Sequence, residues 1–135
     1  DVFAVDWPIR YKDIAQWYSY VEKFIGVAGH NDGNPYMPDG EFLPGFEMNV
    51  VEKVLKTKLE SKYSDRQVIQ GRCAHITDPQ PIHIAQGRTK CQNRVLCQRG
   101  CPFGGYYSST SSTLPWAAKT GNLILKANKI VESII

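Results

Sequence analysis

Cys91-Gln92-Asn93-Arg94-Val95-Leu96-Cys97-Gln98-Arg99-Gly100-Cys101-Pro102-Phe103-Gly104-Gly105 is the stretch around which the rest of the chain is arranged. It holds three of the four cysteines within eleven residues. Thiols this crowded are not independent core residues. Three sulfurs at spacings of six and four residues meet only if the backbone turns between them. Gly100, Pro102, Gly104 and Gly105 permit that turning, the glycines through their freedom at positive φ and the proline through its fixed φ. The stretch therefore reads as loop, and the elements on either side must hold it in shape.

Four cysteines admit three readings. Structural disulfides require an oxidising compartment, of which the sequence carries no sign, and the crowding suits metal better than two bridges. Structural zinc fits soft thiolates, but the usual two-residue knuckle spacing is missing, and none of His30, His75 and His83 is spaced from a cysteine to suggest a ligand. An iron–sulfur cluster fits too: Cys97 to Pro102 repeats the tail of the bacterial ferredoxin run, three residues between two cysteines and a proline after the second. All three stay open on residues alone, with iron–sulfur ahead. Cys73, eighteen residues upstream of Cys91, reads as a buried thiol at a strand edge rather than a fourth ligand. His75 and His83 read as structural histidines.

The chain has 135 residues, 42% hydrophobic and 21% charged, which is one domain of globular composition. A net charge of +3 is too mild and too evenly spread to argue for nucleic acid. Arg88, Lys90, Arg94 and Arg99 cluster near the cysteines, where they offset thiolate charge. No apolar run approaches the roughly 18 residues that span a bilayer. The chain starts at Asp1, without Met, and stops within an apolar, β-branched run, so it is expected to be an internal segment of a longer protein.

Outward from the cysteines, elements follow from periodicity. Residues 1–10 read as extended, with Trp7-Pro8 preventing a helical entry. Ile14, Trp17, Tyr18, Val21, Phe24 and Ile25 recur at helical steps to a stop at Gly26, which predicts a helix from Tyr11 with a buried aromatic face. Residues 28–47 read as a long loop of consecutive turn signals. Asn49 and Glu52 form a capping box for a second helix to Tyr63, with Met48, Val51, Val54, Leu55 and Leu59 on its apolar side. Gln67 to Ile69 is a strand candidate. Residues 71–90 read as irregular, with Pro79 and Pro81 blocking a helix. Ser108 to Thr113 is a run of hydroxyls able to bind phosphate or to form a solvated turn into a helix cap. Ser111 to Thr120 reads as a short helix holding Pro115 in its first turn and ending at Gly121. Leu123–Leu125 and Ile130–Ile135 read as strands. The expected fold class is α+β: two longer helices, a short one and a few short strands. There is no dinucleotide-binding glycine motif, no P-loop, and no recognisable catalytic set of Ser, His and Asp.

In order along the chain stand Trp7-Pro8-Ile9-Arg10-Tyr11, Asp13-Ile14, Trp17-Tyr18, Val21-Glu22 and Ile25-Gly26-Val27, with Gly29 after them. Pro38-Asp39-Gly40, Gly71-Arg72-Cys73, Arg88-Thr89, Cys91 and Gly100-Cys101-Pro102 follow. Gly104-Gly105, Thr113-Leu114-Pro115, Ala117 and Thr120-Gly121-Asn122-Leu123 complete the series. This series resembles the substrate-domain segment of the glucose–methanol–choline family of FAD-dependent oxidoreductases. It is most similar to the large subunits of bacterial gluconate, fructose and glucose dehydrogenases. The likeness runs over nearly the whole chain; each motif is weak, and the order is specific.

The resemblance implies an oxidation of the CH–OH group of a sugar or other alcohol, with hydride passing to flavin. It implies that Cys91, Cys97 and Cys101 ligate a [3Fe-4S] cluster that relays electrons to a haem or quinone acceptor, and that Cys73 stands outside it. It further implies a backbone contact of Val131 with the FAD, the flavin fingerprint upstream of Asp1 and the catalytic histidine downstream of Ile135. Residues 1–90 would then be substrate-domain segment, 91–121 cluster loop and short helix, and 122–135 strands returning to the flavin domain. An isolated segment of this kind is expected to be inactive. The rival readings are a zinc-stabilised interaction module and an oxidase-type relative with redox-silent cysteines. The resemblance points to a bacterial protein and leaves cytoplasm and periplasm equally open.

Overall fold

Helix α1, Tyr11–Ile25, begins where the Asp13 carboxylate accepts the Arg10 N–H at 2.8 Å. It ends at Gly26, whose φ of 73° is left-handed. A side chain at Gly26 would also stand 2.2 Å from the Ile76 side chain, so the residue is glycine for conformation and for space. Helix α2, Val50–Lys62, opens with the expected reciprocal box: Glu52 N–H donates to Asn49 Oδ1 at 3.0 Å, and Asn49 N–H to Glu52 Oε2 at 2.7 Å. Helix α3 spans Pro81–Ala85 and α4 spans Thr113–Ala118. The computed structural model describes residues 5–134, and within them the fold is mixed α+β, with these four helices and one two-stranded sheet.

That sheet pairs β1, Ala28–Gly29, in parallel with β2, Leu43–Pro44, inside the segment expected to be loop. It is the edge of a wider set of backbone pairings. Ala28 and Cys73 exchange both hydrogen bonds, at 2.8 and 3.1 Å. Beyond Cys73, Ile76 N–H donates to Gly105 O at 2.8 Å, Cys91 N–H to Ile76 O at 2.7 Å, and Tyr107 N–H to Ala74 O at 2.9 Å. Residues 73–76 thus run down the middle of the molecule, between the small sheet and both arms of the cysteine loop. Among the described residues, Ala28 and Ile76 are the fully buried apolar side chains.

A polar layer fastens α1 to this frame. The last carbonyls of a helix have no partner within it. Here His83 Nε2 pairs with Lys23 O at 2.8 Å, Gln86 Nε2 donates to Phe24 O at 3.1 Å, and Arg88 donates to Ile25 O at 2.7 Å. Three successive carbonyls are therefore taken by three side chains from one short segment. Ser112, at the start of α4, is buried and donates to Gln86 Oε1 at 2.8 Å, tying the fourth helix to the same layer.

Several expectations are corrected. Pro81 does not block a helix: it stands at the first position of α3, where its missing N–H costs nothing. Gln67 to Ile69 is not a strand, because Val68 N–H and C=O are taken by Glu60 and Lys56 of α2. Within 122–134 there is no strand, and Ile130 is 98% exposed. A strand needs a partner ladder, and among the described residues none is offered; Ile135 lies outside them, as do residues 1–4 of the expected extended entry. The aromatic face of α1 is not buried either, with Trp17 61% exposed, and Val51, Val54 and Leu55 of α2 are likewise open. The accessible surface is 10912 Å². A compact monomer of this mass exposes about 7100 Å².

Candidate functional site

The two arms of the cysteine loop are held by the central run. Thr89 N–H and its hydroxyl both donate to Phe103 O, at 3.0 and 2.9 Å, and Cys91 is hydrogen-bonded to Ile76. The arms cross where Gly105 meets Cys91, and a Cβ at Gly105 would stand 2.9 Å from the Cys91 Cα. Between Cys91 and Cys97 the backbone takes positive φ at Asn93 (52°) and at the β-branched Val95 (56°), the second a strained conformation. A single 3-10 turn, Cys97–Arg99, then leads to Gly100 at φ 93° and on to Cys101.

These turns bring Cys91, Cys97 and Cys101 onto the wall of one cavity of about 250 Å³. Phe46, Phe103 and Tyr106 supply much of the rest of that wall, and His75 faces it from the central run. A larger cavity, about 480 Å³, lies between α1 and α3 and has no cysteine in its lining.

The four thiols, all unbridged, sit in different surroundings. Burial pushes the Cys101 thiol up, but the backbone N–H groups of Tyr106, Phe103, Gly105 and Gly104 are turned towards its sulfur and together bring it below the ordinary thiol value. Cys73 goes the other way: burial raises it, and the neighbouring Cys91 and Cys97 thiols raise it further. His75 stands between Cys73 and Cys97, with Nδ1 2.9 Å from the Cys73 sulfur and Nε2 3.3 Å from the Cys97 sulfur. Phe46 meets its ring edge-on at 5.7 Å, Tyr106 lies tilted by 38° against it at 5.0 Å, and burial lowers its pKa.

Beneath Cys101 lies Arg88, 1% exposed, with no carboxylate among its hydrogen-bond partners. Its Nε donates to Gly104 O at 2.8 Å, its guanidinium lies 5.7 Å from the Tyr107 ring centre, and one terminal nitrogen has no acceptor. This buried cation with an unused donor lies outside the cavity wall but close enough to Cys101 to interact with its charge. Arg94, stacked 6.0 Å from the Phe103 ring centre, adds a second guanidinium at the rim.

Donor set and surroundings together fit a thiolate-ligated, anionic group: soft sulfur ligands, hydrogen-bond donors to sulfur, apolar walls and a buried cation. They fit a single ion less well. Among the described residues no three or more His, Cys, Asp or Glu side chains are gathered closely enough to hold one metal ion. At a zinc–sulfur distance of about 2.3 Å, tetrahedral donors must stand about 3.8 Å apart. A cluster is ligated at separate irons, so its thiolates stand further apart.

The remaining expected sites resolve simply. Val131 is 80% exposed on a segment without secondary structure, so the residues present do not form a flavin site. The hydroxyl run bonds internally, Ser108 Oγ to Ser111 Oγ at 2.9 Å, and forms the turn into α4. His83 is structural, as expected. His75 and Cys73 are what the sequence reading missed. A Cys-x-His pair in extended backbone places both side chains on one face, and that was the available signal. Among the described residues, no helix is long and apolar enough to cross a membrane. Comparison with family models, with curated proteins and with solved structures gives no match.

Proposed function

We propose that the chain is the electron-relay segment of an FAD-dependent dehydrogenase that oxidises the CH–OH group of a sugar or other alcohol. In this reading Cys91, Cys97 and Cys101 hold a [3Fe-4S] cluster. The observation that carries it is the convergence of these three cysteines, in the spacing that suggested the cluster, on one cavity of about 250 Å³. When bound, such a cluster supplies single-electron transfer towards a haem or quinone acceptor.

The chain's own residues have definable parts in this. The N–H groups of residues 103–106 face the Cys101 sulfur and favour its thiolate form. Arg88 fixes the turn that carries those groups by donating to Gly104 O, and brings positive charge near Cys101. Phe46, Phe103 and Tyr106 give the sulfurs an apolar wall, which helps set a reduction potential. In this reading the flavin, the hydride step and the proton-accepting histidine belong to other parts of the dehydrogenase. The exposed apolar faces of α1 and α2 support docking on a larger body.

The test is anaerobic reconstitution with iron and sulfide, followed by metal and acid-labile sulfide analysis and electron paramagnetic resonance. The expected result is close to three irons per chain, abolished in Cys97→Ser. Tight zinc uptake that excludes iron would replace this reading with the zinc-stabilised module. Cluster formation that survives loss of any one of the three cysteines would refute the ligand set.

A further inference from the structure

We propose that Cys73 and His75 form a hydrogen-bonded positioning pair that holds an imidazole N–H on the sulfur of Cys97. The inference deepens the cluster reading and rests on it.

The argument is one of donors and acceptors. A neutral imidazole has one N–H and one lone pair, and His75 has a sulfur at each nitrogen, 2.9 Å away at Nδ1 and 3.3 Å at Nε2. Cys97 as a cluster ligand is a thiolate and only accepts. The proton must then sit on Nε2, which leaves Nδ1 as an acceptor. Its neighbour there is the thiol of Cys73, and a thiol donates only while it keeps its proton. The order Cys73 S–H to Nδ1, then Nε2–H to the Cys97 sulfur, is the arrangement in which every group is satisfied. It also assigns Cys73 a part that requires it not to be a ligand.

The backbone enforces this order. Cys73 is pinned by its double hydrogen bond to Ala28, and His75 N–H is bonded to Cys73 O at 2.8 Å, so the two side chains are fixed relative to each other. Phe46 and Tyr106 fix the plane of the ring. A donor to a ligand sulfur stabilises the reduced, more negative cluster and so raises its potential.

One measurement tests the pair. On the reconstituted chain, a redox titration followed by electron paramagnetic resonance reads the potential. His75→Phe, which keeps the ring packing, is expected to retain three irons at a lower potential; Cys73→Ala is expected to shift the same way and Cys73→Ser, whose hydroxyl also donates, to stay close to the parent. Three irons with an unchanged potential in His75→Phe overturn the pair and leave the cluster reading standing. Loss of iron in His75→Phe also overturns the pair, because His75 would then be a ligand. If the parent chain takes up no iron, the cluster reading fails and the pair falls with it.

Discussion

Cys101 and Cys73 lie in opposite electrostatic settings, and thiol alkylation separates them. Burial acts against both thiolates, but only Cys101 has backbone N–H groups to outweigh it. On the metal-free chain, the pH profile of alkylation should rise below the ordinary thiol value of about 8.5 for Cys101 and above it for Cys73. Mass spectrometry of modified peptides gives both profiles, and a reversed order would remove the backbone cradle from the account. Since the folded value of Cys101 is depressed, its contribution to stability is present above the unfolded pKa and is lost as pH falls through the folded one. Val95 offers a second test at this scale. A β-branched residue at φ 56° carries about 1–2 kcal/mol of strain that asparagine largely avoids. Val95→Asn is therefore expected to raise the unfolding free energy read from a denaturant titration by up to about 1 kcal/mol, the Val95 side chain being exposed in any case.

At the scale of elements, the attachment of α1 governs whether the cysteine loop has a floor. Arg88 joins Ile25 O to Gly104 O. Arg88→Met would leave both carbonyls without that donor. An unpaired buried group costs about 1–3 kcal/mol, so a loss on the order of 2–4 kcal/mol is expected in chemical denaturation. Arg88→Lys should recover only part of it, since an ammonium cannot reach both carbonyls in the planar fork of a guanidinium. His83 adds a pH dependence. Its pKa is lowered by burial, with the nearby Arg88 charge acting in the same sense and the Lys23 carbonyl against it, and burial lowers His75 as well. Both histidines therefore contribute stability that is present above the unfolded value near 6.5 and is lost as pH falls through the folded ones. Melting temperature should drop on acidification below about pH 6.5, and His83→Gln should flatten part of that slope.

The whole molecule exposes 10912 Å², against about 7100 Å² for a compact monomer of its mass. Trp17, Tyr20, Val50 and Val51 are among the apolar side chains left open on α1 and α2. The isolated chain is expected to bind a hydrophobic dye and to gain mass with concentration in light scattering. Trp17→Glu together with Val51→Lys should reduce both effects without lowering the denaturant midpoint, because neither side chain is buried. A fall in the midpoint would mean that these faces pack within the chain. In a molecule with so little apolar interior, the polar layer from His83 to Arg88 and the pairings along residues 73–76 carry much of the cohesion.

What the sequence determined by itself is what neighbours three or four residues apart decide. The limits of α1 and α2, the Asn49–Glu52 box, the stop at Gly26 and the turning backbone of the cysteine stretch all follow from such local terms. Tertiary structure decided what depends on distant pairing. The ladder that joins Ala28 to Cys73 spans 45 positions and the bond from Cys91 to Ile76 spans 15, and no periodicity encodes either. Those pairings set His75 between two sulfurs and close a cavity around three cysteines. Partners also decided the failures: Leu123–Leu125 and Ile130–Ile134 are apolar and β-branched enough to be strands, but a strand exists only where another backbone accepts its hydrogen bonds. Local sequence can specify a helix because its bonds close within the segment. It cannot specify a sheet or a site, whose bonds close across the fold.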